Sequence, residues 1–184
     1  MPVETAAPLN RGMTVTRSYY RRGSDCTSEP CPSLQSAGVN QQVLVRVTLA
    51  VPQDAYYVLL EDYIPAGSEI LDTSLKTSQL GSPDRVEGET PEQSLQPEAA
   101  FDAQDPISAG WGRWAFHSPL VYDDHIAWSA DYLEAGTYVM EYIFTPLQPG
   151  EYRVLPARAR QMYFPDVQGS SGGMIFTINA AIAP

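Results

Sequence analysis

Residues 42–51 (QVLVRVTLAV) restrict the possible folds more than any other part of the chain. Val43, Val45, Val47, Leu49 and Val51 fall on one face, and Leu44, Arg46, Thr48 and Ala50 fall on the other. A period of two is the repeat of an extended strand with one buried face, whereas a helix would scatter these residues around its axis. The β-branched content points the same way.

The pattern recurs along the chain. In residues 55–64, Tyr57, Leu59, Glu61 and Tyr63 oppose Tyr56, Val58, Leu60 and Asp62. Pro52 ends the preceding strand and Gln53-Asp54 reads as a tight connection, so these two strands are expected to pair as a hairpin. Further strand patterns cover residues 12–22, 111–117, 124–130, 136–145, 151–155, 158–163 and 174–180. In residues 136–145, Tyr138, Met140, Tyr142 and Phe144 face one way, and Val139, Glu141, Ile143 and Thr145 the other. Turns fall at Pro65-Ala66-Gly67, at Pro149-Gly150 and over residues 169–173, and the 16 Pro and 13 Gly punctuate the chain at strand-length intervals. About eight or nine short strands without a sustained helical stripe define an all-β protein, an antiparallel β-sandwich of immunoglobulin- or fibronectin-like architecture.

With 184 residues and 43% apolar content the chain is long enough for one sizeable core. Residues 1–11 read as a disordered or linker segment, and residues 12–184 as a single domain with insertions at 23–38 and 81–110. The second insertion carries seven acids between residues 81 and 106 (Asp84, Glu87, Glu89, Glu92, Glu98, Asp102 and Asp105) against Arg85, and prolines at 83, 91, 97 and 106 interrupt it. It reads as a long solvated acidic loop with room for a helical turn around residues 92–100; the alternative is an acidic docking loop.

The net charge of −11 opposes binding to nucleic acid or to anionic membranes. No apolar run is long enough for a membrane span, and the first residues lack the basic and apolar regions of a signal peptide. Cys26 and Cys31 have four residues between them. They suit a disulfide closing a small loop, worth about 2 kcal/mol and implying an oxidising compartment, or else a pair of free thiols. Zinc is disfavoured, because the only histidines, His117 and His125, lie far along the chain.

No catalytic constellation stands out. His117, His125 and the Asp123-Asp124 pair could serve a hydrolase or a metal, but Asp123-Asp124 also fits a turn leading into a strand. Ser170 and Ser171 lack the Gly-x-Ser-x-Gly spacing, and no phosphate-binding glycine loop is present. Trp111, Trp114 and Trp128 lie on strand patterns, where core or sheet-face positions are expected; Trp111 and Trp114, near a loop, leave room for ligand stacking. Arg158 and Arg160 alternate on one strand and form a solvated or ion-paired face. No cofactor is implied.

Met162-Tyr163-Phe164-Pro165 is different. Pro165 disfavours helix at Phe164, so the run leaves a strand and crosses a loop. Taken alone, its large side chains would fold back into the core, since apolar groups on a loop tip are costly to expose.

The ordered set Val15–Tyr20, YYVLLEDYIPAG at 56–67, DDHIAW at 123–128, YVMEYIFTPLQPG at 138–150 and LPARARQMYFP at 155–165 resembles the C-terminal macroglobulin-like domain of bacterial α2-macroglobulins. The Asp-x-x-Pro-Ala-Gly piece by itself occurs in other bacterial surface sandwiches. Members of the family are large cell-envelope proteins that trap proteases, with a reactive thioester in a neighbouring helical domain. The resemblance implies that Met162, Tyr163 and Pro165 belong to a loop that packs on that thioester and shields it from water. It implies a non-catalytic protease-inhibitor module whose partners are the thioester-containing domain and other macroglobulin domains of the same parent, with target proteases reached through that parent. It also implies an extracytoplasmic location in the cell envelope. The insertions at 23–38 and 81–106 have no counterpart in the pattern. Two other readings compete: a structural or adhesive sandwich module of a bacterial surface protein, and a ligand-binding or catalytic domain built on His117, His125 and the tryptophans.

Overall fold

A computed structural model describes residues 2–23, 32–71 and 111–180. Cys26, Cys31 and the acidic stretch 81–106 lie outside the described residues.

Among the described residues thirteen strands form three sheets. They are β1 (Leu9–Arg11), β2 (Thr14–Arg21), β3 (Ser36–Gly38), β4 (Val43–Val51), β5 (Ala55–Tyr63), β6 (Ser68–Ile70) and β7 (Leu120–Val121). The series continues with β8 (His125–Leu133), β9 (Gly136–Pro146), β10 (Gly150–Val154), β11 (Arg158–Gln161), β12 (Gln168–Ser170) and β13 (Met174–Asn179). The six-stranded sheet has the order β1-β12-β11-β5-β8-β7, and the four-stranded sheet the order β2-β4-β9-β6. A three-stranded sheet, β10-β13-β3, completes the fold. Strand pairing is antiparallel except where β13 runs parallel to β3. No helix among the described residues is long and apolar enough to cross a membrane.

The valine stripe of β4 is the clearest link from sequence to core. Val43, Val45, Val47, Leu49 and Val51 are buried and the residues between them are half-buried. Trp128 on β8 and Tyr142 on β9 meet at 5.9 Å between ring centroids, joining the two larger sheets. Tyr19, Phe144 and Phe176 pack edge to face at 5.2–5.7 Å and tie the three-stranded sheet to the four-stranded one.

The expected hairpin of β4 and β5 does not form. β4 pairs with β2 and β9, whereas β5 pairs with β8 and β11. The chain crosses between sheets at residues 52–54, and it crosses again between β8 and β9. Asp54 binds the two crossings together. Its carboxylate accepts the Tyr132 hydroxyl at 2.8 Å and the Ala135 backbone N–H at 3.0 Å. The two strands thereby turn their apolar faces toward each other across the core, a gain no two-stranded hairpin offers.

Other expectations also change. Leu9–Arg11, read as linker, pairs with β12. The end of the first insertion joins the fold: Leu34 N–H reaches the Tyr19 carbonyl at 2.8 Å, and β3 lines up with β13. Part of the expected turn at 169–173 is strand β12. Residues 111–117 are not a strand. Gly112 adopts a left-handed φ of 76°, and Arg113–Ala115 form a 3-10 turn. A Cβ at Gly112 would lie 2.5 Å from the Tyr138 ring, so glycine lets the chain turn where a strand pattern was expected.

Candidate functional site

β11 leaves the six-stranded sheet at Gln161 and returns as β12 at Gln168, and residues 162–167 form the tip between them. Two backbone hydrogen bonds fix its shape. Gln161 N–H to the Val167 carbonyl, 3.1 Å, closes the base, and Val167 N–H to the Phe164 carbonyl, 2.9 Å, closes a four-residue turn. Pro165 takes the second position of that turn, where its fixed φ suits the geometry. A third bond anchors the tip sideways, from Met162 N–H to the Tyr57 carbonyl on β5 at 2.9 Å.

The side chains of this tip do not fold back into the core. Met162 is 57% exposed, Tyr163 70% and Phe164 59%. Pro165 and Asp166 are exposed as well. The Tyr163 ring rests edge-on against Tyr57, 5.0 Å between centroids and 89° between planes. The fold thus presents three adjacent large apolar residues on a backbone pinned at three points, a surface that gains free energy when a partner covers it.

The other candidates do not converge with this tip or with one another. His117 lies 3.4 Å from Asp131, with both side chains exposed. His125 sits instead between the rings of Tyr63 and Tyr122, with Nδ1 2.6 Å from Asp124. No cluster of three or more His, Cys, Asp or Glu able to hold a metal occurs among the described residues. Trp128 is buried as expected, but Trp111 and Trp114 are 60% and 61% exposed, stacked edge-on in a shallow cleft with Tyr132, Glu134 and Tyr138. Neither histidine lines that cleft. Arg160 pairs with Glu61 at 3.1 Å and Arg158 is exposed, as the alternation predicts. Ser171 is a structural residue, accepting the Ala157 N–H at 2.9 Å.

Sequence reasoning passed over Asp62. It is fully buried, paired with Arg17 at 2.7 Å and with the Tyr142 hydroxyl at 2.7 Å. Its place beside Val58 and Leu60 on the inward face of β5 was the available signal. The following Pro65-Ala66-Gly67 turn is equally constrained. Gly67 has φ +77°, and a Cβ there would meet the Tyr152 hydroxyl at 2.6 Å. Its carbonyl accepts both Leu147 and Gln148 N–H, so the 62–67 motif and the Pro146–Gly150 segment clasp each other.

The described residues thus define an all-β module of packed, mainly antiparallel sheets, tied together by buried polar links and carrying an exposed apolar tip. The sequence profile of the bacterial alpha-2-macroglobulin MG10 domain matches residues 12–166, and the chain belongs to that family. Solved structures share the fold. Native alpha-2-macroglobulin from Escherichia coli, spanning domain MG7 to the C-terminus, superposes with a TM-score of 0.66 at 16% identity, covering 97% of this chain and 25% of that one. The native E. coli protein seen by electron microscopy gives 0.66 at 15% identity, with 97% and 10% covered. Salmonella alpha-2-macroglobulin reacted with methylamine gives 0.61 at 16% identity, with 96% and 10% covered. This chain therefore spans a quarter or less of the length of these relatives. Among curated proteins no sequence matches it significantly. Family membership makes this a macroglobulin domain of a bacterial protease-trap family.

Proposed function

We propose that this domain is the non-catalytic guard of a thioester-bearing protease trap, and that Met162, Tyr163 and Pro165 form the guarding surface. In this reading the tip lies against a reactive thioester in a neighbouring domain of the same parent chain. The parent works in the cell envelope, outside the cytoplasm, and meets its target proteases there.

The observation that carries the reading is the exposure of Met162, Tyr163 and Phe164 on a fixed backbone. A thioester survives only where water and amines are excluded, and an apolar cap does this without chemistry of its own. Burying Tyr163 and Met162 against a partner would contribute roughly 1.5–3 kcal/mol each. That holds a closed state and still permits release when cleavage elsewhere in the parent shifts the balance between closed and open states.

The test uses the full-length parent and follows thiol release on adding methylamine, in wild type and in Tyr163→Gly. Much faster release from the variant supports the guard. A parent with no releasable thiol removes it and leaves a structural or adhesive module. Equal rates keep a thioester trap but move its protection to other residues.

A further inference from the structure

Tyr57 lies inside β5 with φ at +51°, in the left-handed region that a bulky residue rarely enters. From Val58 to Asp62 the strand alternates between core and periphery, yet Tyr56 and Tyr57 are both exposed between buried Ala55 and Val58. The opposing strand makes the same step, with Asp131 and Tyr132 exposed between buried Ala130 and Leu133. A strained backbone of this kind persists only where its surroundings over-determine it. Two contacts of Tyr57 go to the tip. Its carbonyl accepts the Met162 N–H at 2.9 Å, and its ring meets Tyr163 edge-on at 5.0 Å. The first fixes where the tip leaves β11; the second restricts the rotation of Tyr163.

We infer that Tyr57 is a positioning residue for the guarding tip, holding the Tyr163 ring in its capping orientation and acting through that ring rather than through a contact of its own with the neighbouring domain. This rests on the guard reading given above. A tyrosine 70% exposed on a loop would otherwise sample several rotamers. A cap that swings aside for part of the time admits water and amines in proportion to that time. An edge-on aromatic neighbour removes this freedom through the favoured geometry of ring pairs.

The experiment measures methylamine-induced thiol release from the full-length parent in wild type, Tyr57→Gly, Tyr57→Phe, Tyr163→Gly and the double variant Tyr57→Gly/Tyr163→Gly. Glycine accepts a φ of +51° without strain. It therefore deletes the ring and spares the backbone, and an unchanged or raised thermal unfolding midpoint checks this. Expected are release roughly two- to tenfold faster for Tyr57→Gly, the scale of one aromatic pair, and the wild-type rate for Tyr57→Phe. In the Tyr163→Gly background, Tyr57→Gly should change nothing further. A wild-type rate for Tyr57→Gly alongside fast release from Tyr163→Gly overturns the positioning role and leaves the guard standing. Additive acceleration in the double variant also overturns it, since Tyr57 would then act by direct contact. A wild-type rate for Tyr163→Gly defeats the guard reading itself.

Discussion

The hydroxyl of Tyr142 donates to Oδ2 of Asp62 across the sandwich at 2.7 Å, and both side chains are sealed from water. The other carboxylate oxygen takes the guanidinium of Arg17 at 2.7 Å. Arg17 in turn donates to the carbonyls of Tyr63 and Leu155. One carboxylate thus links β2, β5 and β9. Burial opposes the charge on Arg17, but Asp62 above all more than offsets it and holds the guanidinium above its ordinary pKa.

Removing one member of a buried pair leaves the other charge without compensation. Asp62→Leu should therefore lower the stability of the chain by about 3–5 kcal/mol. Arg17→Met/Asp62→Leu should lose less than the sum of the two single changes, because no orphan charge remains. Urea unfolding of the three variants measures both; a strictly additive double variant would contradict the linkage.

Alkali should attack the same cluster. Burial, with Asp62 second, holds the Tyr142 pKa well above its ordinary value. A raised pKa in the folded state means stability that is whole below the unfolded value of about 10 and is lost as pH rises toward the folded one. Tyr132, pushed up to about 12 by its hydrogen bond to Asp54, adds to the loss in the same window. Tyr142→Phe should be less stable than wild type at neutral pH yet lose stability less steeply above pH of about 10. Unfolding curves at stepped alkaline pH would show this, and equal slopes would refute it.

Gly67→Ala should destabilise the 62–67 turn. The left-handed backbone alone costs about 1–2 kcal/mol with a side chain, and the new Cβ would lie 2.6 Å from the Tyr152 hydroxyl. Adding Tyr152→Ala should recover the part due to the clash and leave the backbone part. Melting of the single and double variants separates the two.

Tyr163→Gly should lower the stability of the isolated chain by no more than about 1.5 kcal/mol, the scale of its ring pair with Tyr57. Its main consequence should appear in thiol protection by the parent. A large loss of stability would mark Tyr163 as part of the domain's own packing.

The sheet class was legible because period-two patterns survive where one face is more deeply buried than the other; β4 is the clearest case, whereas β9 is buried on both faces from Met140 to Phe144. What alternation could not specify was the partner of each strand. β4 and β5 look like a hairpin by separation alone, and the crossing depends on Asp54 meeting Tyr132 and Ala135, which are distant in sequence. Residues 111–117 misled for a related reason: their aromatics suit a strand, while Gly112 imposes a turn. That residues 162–165 leave the strand was readable from Pro165, but their exposure was not, since large apolar side chains taken alone were expected to fold back into the core. Tyr57 was not, because its left-handed backbone leaves no trace in a strand pattern that otherwise looks regular.

The short outer strands have a consequence for life within a longer chain. β1, β3, β6 and β7 are two or three residues each and stand at the borders of their sheets. An exposed border strand is a template on which another sheet can zip up, and tandem modules hold one another at high local concentration. Borders this short offer an adjoining module few hydrogen bonds and almost no register to lock. Strand exchange with a neighbour of the same kind is thereby disfavoured at these four borders and left to the two longer ones, β2 with eight residues and β10 with five.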